Sequence, residues 1–395
     1  MIKQILKMLW KQRRNHFGIF VEQLLVAAVL MLAVVSVAEM VKKYKTPGRL
    51  NTDNTFLMCG VYSGGDVSEE EQATLRGNMK VIAGNLKKLP CVDAIAATDN
   101  LMPYMDGDHH YLRMSDSIYV DDKRFLAITK VSDELGITVL KPEMEEGAWL
   151  ENRALPDGSA PTVITRQLAD KAGWTNATGK KITVKGQNYT VVGVATGLKQ
   201  EPFSPSPVAM VIPEYIGLSN NNRVVEYLVR IKADREQEFV DAFFKEFQRL
   251  ISDERAMPML IDSKATKGML ISGSTIGVAL QAIPTVFLLI FAFLGTFGLS
   301  WMLSRKRLKE FALRMALGST KSRLMAIVIG ESLLITVIAI IPALLLSFFI
   351  YEYAAVHVIG VGATVGIMLL FSAVSAWYPA WKVSRVNPAE ALQYE

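Results

Sequence analysis

Few residues in this chain have the types and the spacing that chemistry requires. A phosphate-binding loop needs four residues between its glycines and a lysine followed by Ser or Thr. In Gly173–Lys181 five residues separate the glycines, and Lys181 stands where Ser or Thr would bind magnesium. Adjacent histidines make Asp106–His110 a poor zinc site and favour a polar loop. No GxSxG nucleophile elbow occurs. We expect no catalytic residue, no metal site and no ATP hydrolysis by this chain alone.

The composition points to a membrane protein instead. The 395 residues are 51% hydrophobic with a mean hydropathy of +0.25, yet 21% are charged, so apolar and polar blocks must be segregated. Four apolar runs can each cross a hydrocarbon layer of ~30 Å. Their only internal charges are Glu22 and Glu39 in the first run and Glu331 in the third. The predicted transmembrane helices are 17–41, 276–303, 324–351 and 358–379, with 352–357 as a short outer loop between the last two.

The first run could also be a secretory signal, because Ser36-Val37-Ala38 resembles a cleavage site. The run from Phe17 to Met40 is longer than the hydrophobic region of a signal peptide. This length favours an uncleaved transmembrane helix.

Lys and Arg near the span ends set the orientation of a membrane protein. Residues 1–16 and 304–323 are rich in both, the tail 380–395 carries Lys382 and Arg385, and the loop between the last two spans has neither. We therefore expect these three segments to be cytoplasmic and 42–275 to lie outside. The net charge of +5 then reflects topology and contact with anionic lipid, and it gives no support to nucleic-acid binding.

The outer block predicts an α+β domain. A strand at Thr55–Tyr62, a helix opened by a capping box at Ser68 and a strand at Val92–Ala97 form one βαβ unit. A second unit recurs as a strand at Val224–Ile231, a helix capped by Asp234 and a strand at Met259–Ile261. Together they indicate a ferredoxin-like subdomain.

The segment between these units predicts a strand-rich insertion. It contains a hairpin over Lys181–Thr196 with its turn at Gly186–Asn188, followed by a loop over Thr196–Pro213. The two cysteines, Cys59 and Cys91, could form a disulfide in an oxidising compartment or remain as two buried thiols.

The cytoplasmic segments predict two amphipathic helices. Residues 1–16 suit a helix in the membrane interface or a solvated extension of the first span. In 304–323 a short helix ends at Gly318, with Lys309 and Arg314 flanking a protruding Phe311.

The spans themselves carry five residues of interest. Pro284 and Pro342 are expected to kink their helices, and Gly362 and Gly366 form a GxxxG pattern that permits close helix approach. Glu331 has either a functional role or a structural one, and in the structural role it hydrogen-bonds a neighbouring helix or reaches the interface.

Three stretches resemble the MacB/FtsX-type ABC transporter permease family. Arg307–Ser319 is similar to its segment R-x-x-E-I-G-I-R-x-A-x-G-A, with Phe-Ala-Leu in place of Ile-Gly-Ile, and Pro379–Leu392 is similar to its ending P-A-x-x-A-x-x-x-x-P-x-E-A-L. The stretches that resemble the family's periplasmic core are Leu135–Gly147, Val163–Ala169, Gly179–Ile182 and Tyr189–Val194.

The resemblance implies a permease in the bacterial inner membrane with a periplasmic or extracellular domain. It implies a second permease chain, identical or different, and a separate ABC ATPase that holds ATP and magnesium, since this chain needs no cofactor of its own. ATPase motion would pass to the outer domain for efflux or another envelope process, with a periplasmic or outer-membrane partner. The residues it assigns to ATPase coupling are Arg307, Lys309, Glu310, Phe311, Arg314, Met315 and Gly318. A regulator of an envelope enzyme, or a membrane-anchored binding or receptor module, is the alternative.

Overall fold

The computed structural model describes residues 13–46, 50–64, 66–104, 115–120, 123–217, 226–350 and 354–385. Most of the predicted interfacial helix 1–16, the Asp106–His110 cluster, residues 352 and 353, and the tail beyond 385 lie outside the described residues. The chain divides into two compact units, described separately below. The outer unit is Lys43–Ser274, and the membrane unit combines Met1–Lys42 with Thr275–Glu395.

Ten helices and eleven strands occur among the described residues. The helices are α1 (Arg13–Lys45), α2 (Glu69–Leu86), α3 (Gly136–Leu140), α4 (Arg166–Ala172), α5 (Glu214–Gly217), α6 (Glu236–Leu250), α7 (Ser263–Lys306), α8 (Leu308–Ala316), α9 (Lys321–Ile350) and α10 (Ala355–Val383). The strands are β1 (Thr55–Tyr62), β2 (Val92–Asp99), β3 (Ser115–Val120), β4 (Lys123–Ser132), β5 (Met144–Gly147), β6 (Ala160–Thr165), β7 (Lys181–Val184), β8 (Gln187–Ala195), β9 (Ala209–Pro213), β10 (Glu226–Ile231) and β11 (Ala256–Asp262).

One half of the outer unit is a four-stranded sheet in the order β11-β1-β10-β2, with every neighbouring pair antiparallel. Helices α2 and α6 bury their apolar faces in one core, where Phe239 and Phe243 meet Met79 and Ile82. Burying such faces on one side of a sheet is what holds a two-layer domain together. The capping box at Ser68 is present as predicted, because Ser68 and Glu71 each accept a hydrogen bond from the other's backbone.

The predicted cap of α6 is wrong. Asp234 has a left-handed backbone with φ of 61°, and α6 follows an N-cap at Arg235 that makes no side-chain capping bond. A residue in a tight turn before the helix cannot also take the extended backbone that an N-cap side chain needs.

The other half of the outer unit is a small closed barrel. Strands β4, β3, β7, β8, β6 and β9 follow one another, and β9 returns to pair in parallel with β4 through Ile128↔Ala209. The predicted loop over 196–213 is therefore wrong at its end, where all five residues of β9 are buried. The hairpin turn is Lys185-Gly186, with φ of 48° and 81°, because left-handed residues at both positions match the twist of the flanking strands.

Cys59 and Cys91 are both free and buried, so the candidate disulfide is absent. Cys91 belongs to the core between the sheet and helices α2 and α6, whereas Leu57 belongs to the core on the other face of the sheet. Alternate residues of a strand share a face, so Cys59 lies on the same face as Leu57 and away from Cys91. Strand β10 also lies between β1 and β2, and two strand spacings of about 4.8 Å exceed the Cα separation that a disulfide can bridge.

Four described helices, α1, α7, α9 and α10, are long and apolar enough to cross a membrane. In the membrane unit α1 supplies the central packing surface, with Ala27 and Val35 fully buried against the other three helices. Helix α10 approaches it at Gly360, where a Cβ would lie 3.0 Å from Cγ2 of Val35. Helices α9 and α10 are joined by a hydrogen bond of 2.8 Å between the hydroxyls of Ser332 and Ser372.

Candidate functional site

The segment 305–323, which we call the elbow, connects α7 to α9 and contains the short helix α8. Helix α8 ends where the sequence predicted, because Gly318 has φ of 93° and the backbone N–H of Ser319 donates to the carbonyl of Arg314 at 2.9 Å. Only glycine adopts this left-handed end at no steric cost. Thr320 then accepts a hydrogen bond from the backbone of Arg323 at 3.4 Å and opens α9.

The inner face of α8 packs into the membrane unit. Phe311 is only 1% exposed and lies in a cluster with Leu324 and Val328 of α9 and with Ala380 and Val383 of α10. The prediction of a protruding Phe311 is therefore wrong. Its ring fixes the elbow to the ends of two membrane helices, and Met315 packs partly buried against the same cluster.

A buried ion pair fixes the elbow to α9. Nη1 of Arg307 donates to both carboxylate oxygens of Glu331, at 2.9 and 2.8 Å, and the two side chains are 9% and 10% exposed. The guanidinium also lies 4.9 Å from the ring centroid of Phe311. Of the two roles that the sequence left open for Glu331, the structure shows the hydrogen bond to a neighbouring element. Arg307, assigned by resemblance to docking, faces inward.

Glu310 extends this ion pair along α8. It accepts from Nε of Arg307 at 3.0 Å and from Nη2 of Arg314 at 2.5 Å. Burial by itself would raise the pKa of Glu310, but the hydrogen bonds and charges of Arg307 and Arg314 outweigh it, so the pKa lies below its usual value. The carboxylate is therefore ionised at neutral pH, and it links Arg314 of α8 to Arg307, which in turn pairs with Glu331 of α9.

The face of α8 that points away from the other membrane-unit helices presents a different set of side chains. Lys309 and Gly318 are exposed, and so are Leu313 and Leu317, at 53% and 79%. Residues 309, 313 and 317 recur every four positions and so share one side of a helix. We call Lys309, Leu313 and Leu317 the outward stripe. The two leucines were missed from the sequence, because helical spacing groups them with Lys309 but does not show which side of the helix is exposed.

The prolines and glycines singled out within the spans differ in what the structure shows for them. Helices α7 and α9 run continuously through Pro284 and Pro342, so the kinks remain a prediction. No other part of the described chain lies within 4 Å of where a Cβ at Gly362 or Gly366 would sit. Inside this chain the close helix approach is therefore made by Gly360, and the GxxxG face does not contribute to it.

No group of three or more metal-binding side chains occurs among the described residues. The elbow combines an inner side packed against α9 and α10 with an exposed stripe on the opposite side.

Four membrane-length helices, with a large compact unit between the first and the second, define a multi-span membrane protein. The family described as MacB-like periplasmic core domain matches residues 24–243, more than half of the chain. The family described as FtsX-like permease C-terminal matches residues 282–388. The chain belongs to the MacB/FtsX-type permease family, and the resemblance seen in the sequence is confirmed. Permeases of this family work with an ABC ATPase partner.

Two solved structures are similar to part of this chain. The periplasmic region of MacB from Actinobacillus actinomycetemcomitans is 14% identical, with 55% of this chain and 92% of that chain covered and a TM-score of 0.39. The extracellular domain of the noncanonic ABC-type transporter YknZ from Gram-positive bacteria is 17% identical, with 52% and 100% covered and a TM-score of 0.37. No curated protein matches the chain. The family assignment rests on the two family matches alone.

Proposed function

We propose that this chain is the permease subunit that transmits ATPase-driven movement across the bacterial inner membrane to its outer unit. ATP and magnesium belong to a separate ATPase subunit, which binds the elbow. Movement of the elbow passes through the spans, so that the outer unit acts on something already outside, in efflux or another envelope process. A second permease chain completes the assembly.

The observation that carries this proposal is the two-sided construction of α8. Its inner side is held by the Arg307–Glu331 ion pair and by Phe311. Its outer side exposes two leucines beside a lysine. Neighbouring exposed leucines rimmed by polar side chains form an apolar patch of the kind that marks a site for a partner. A rigid inner anchor allows a force applied to the outward stripe to reach α9 without being lost in local bending.

The test is complex formation in detergent between this chain and the ABC ATPase encoded nearest to it. Leu313→Asp and Leu317→Asp should each abolish the complex, because each places a charge where an apolar contact is expected. The matched control is Leu126→Asp, which makes the same change at an exposed leucine of the outer unit. Full binding by both elbow variants would refute docking through the outward stripe.

For the outer unit we infer a ferredoxin-like subdomain joined to the barrel. The support is the order β11-β1-β10-β2, in which β10 lies between the two strands that α2 connects. Such a compact two-part unit is suited to moving a partner or cargo in the periplasm, or to controlling an envelope enzyme there. Accumulation of a normally secreted compound inside cells that lack the chain would indicate transport. Co-purification of the chain with an envelope hydrolase would indicate regulation instead.

A further inference from the structure

An aromatic stack joins α7 and α10 at the ends nearest the elbow. The ring centroids of Trp301 and Tyr378 are 5.9 Å apart with 18° between their planes. The ring centroid of Phe297 is 5.9 Å from that of the same tyrosine. The ring centroid of Trp381, which follows Tyr378 by three residues in α10, is 6.0 Å from it. Four rings from two helices thus form one continuous platform at the end of two membrane-length helices.

Three cations lie over this platform. The Arg305 guanidinium is 5.2 Å from the Trp301 ring centroid, and the Lys382 ammonium is 4.7 Å from the same ring. The Arg385 guanidinium is 4.3 Å from the ring of Trp381. Indole is the best aromatic partner for a cation, so the rings position three positive charges, one from α7, one from α10 and one just beyond the end of α10.

These charges have no anionic partner within the part of the chain that the structure describes. The nearby acids of the elbow and α9 are already used, since Glu310 pairs with Arg307 and Arg314, and Glu331 pairs with Arg307. Arg305 and Lys382 lie 5.2 and 4.7 Å from the same ring centroid, and like charges this near to one another repel. An anion that contacts both side chains would offset that repulsion.

We propose that Arg305, Lys382 and Arg385 bind the phosphate headgroup of an anionic phospholipid. The location favours a lipid over a soluble phosphate, because the cations stand at the ends of two membrane-length helices. Farther along the same helices, Leu294, Val374 and Trp377 are exposed apolar side chains against which acyl chains can lie. Basic clusters between membrane helices, at the level of the headgroups, are the sites where anionic lipids bind. The inference does not depend on ATPase docking.

The experiment is native mass spectrometry of the full chain in detergent, titrated with phosphatidylglycerol or, separately, with phosphatidylcholine of the same acyl chains. Wild type should retain phosphatidylglycerol preferentially. Arg305→Gln with Lys382→Gln should lower the affinity for phosphatidylglycerol about 30-fold, since each basic residue beside an anionic lipid contributes about one fivefold step. The matched control is Lys321→Gln with Arg323→Gln, which removes two exposed charges of α9 and should leave the preference intact.

Three further arms decide the outcome. Trp301→Leu keeps every charge but removes the platform, so it should also weaken retention of phosphatidylglycerol. Arg305→Lys with Lys382→Arg keeps the charges and should retain it, which separates lost binding from misfolding. Equal losses in the test and control pairs, or unchanged binding in the Arg305 and Lys382 double variant, would overturn the proposal. Glycerol phosphate that binds as tightly as phosphatidylglycerol and displaces it would overturn the lipid assignment and indicate a site for a soluble phosphate.

Discussion

Replacing Glu331 by glutamine should destabilise the membrane unit substantially. Removing one partner of a buried ion pair costs about 3–5 kcal/mol, because the other charge is left without compensation. The Arg307 side chain is only 9% exposed, but it keeps a hydrogen bond of 3.0 Å to Glu310. We therefore expect a loss near the lower end of that range, about 3 kcal/mol.

A double-mutant cycle separates the pair from its surroundings. Arg307→Met and Glu331→Leu should each be destabilising alone, whereas the double variant should recover most of the loss, because two apolar side chains of similar size need no compensating charge. The expected coupling free energy is at least about 3 kcal/mol, at the upper end of the range seen for contacting residues.

Unfolding of the purified full chain would be followed by tryptophan fluorescence in mixed micelles with increasing SDS. Glu151→Gln serves as the control, because Glu151 pairs with Arg153 on the surface, with side chains 65% and 79% exposed. An exposed pair of this kind contributes about 0–1 kcal/mol. If Glu331→Gln were as mild as this control, or if the two single losses simply added in the double variant, the buried pair would not be what anchors the elbow.

Three further changes test the outer unit, each read as a shift of its thermal unfolding midpoint. Ser68→Ala removes the capping box of α2 and should cost about 1 kcal/mol. Glu226→Gln tests pH dependence: burial raises the pKa of Glu226 from 4.5 to about 8, so its contribution to stability is present below pH 4.5 and is lost as the pH rises through 8. The variant should flatten this decline, and an unchanged profile would refute the assignment. Gly147→Ala forces an L residue to φ of 63° and sets its Cβ against the carbonyl of Val192, so it should cost more than Gly158→Ala, at φ of 78° in open space. Strain at such a backbone position is worth about 1–3 kcal/mol.

Features that depend on a short stretch of sequence could be predicted. The bounds of β1 at Thr55 and Tyr62 and the capping box at Ser68 were found from local patterns. The four apolar runs were found from length alone, because a hydrocarbon layer sets the minimum. The turn at Lys185-Gly186 was missed by one residue, since several polar residues there suit a turn and only the strand register selects between them.

Features that depend on distant residues could not be predicted in the same way. Strand β9 lies at the end of a segment rich in Gly, Pro and Ser, and it becomes a strand because it closes the barrel against β4, with Ile128 opposite Ala209. Nothing in residues 209–213 indicates a partner some eighty positions earlier in the chain. The pairing of Arg307 with Glu331 is of the same kind. Both charged residues can be read from the sequence, but the sequence does not show that they are in contact.

The elbow shows why a motif alone does not identify a docking surface. Helical spacing divides the residues of α8 into two faces, yet sequence gives no sign of which face meets the membrane helices. Within the motif, Arg307 and Phe311 face inward, whereas Leu313 and Leu317 face outward. Placing a charge at Phe311 would bury it among Leu324, Val328, Ala380 and Val383. The elbow would then lose its packing against α9 and α10, because a buried charge without a partner is costly. Loss of ATPase binding by such a variant would reflect this misfolding and not a lost contact with the ATPase. Only variants at the exposed leucines, with the inner anchor intact, separate docking from folding.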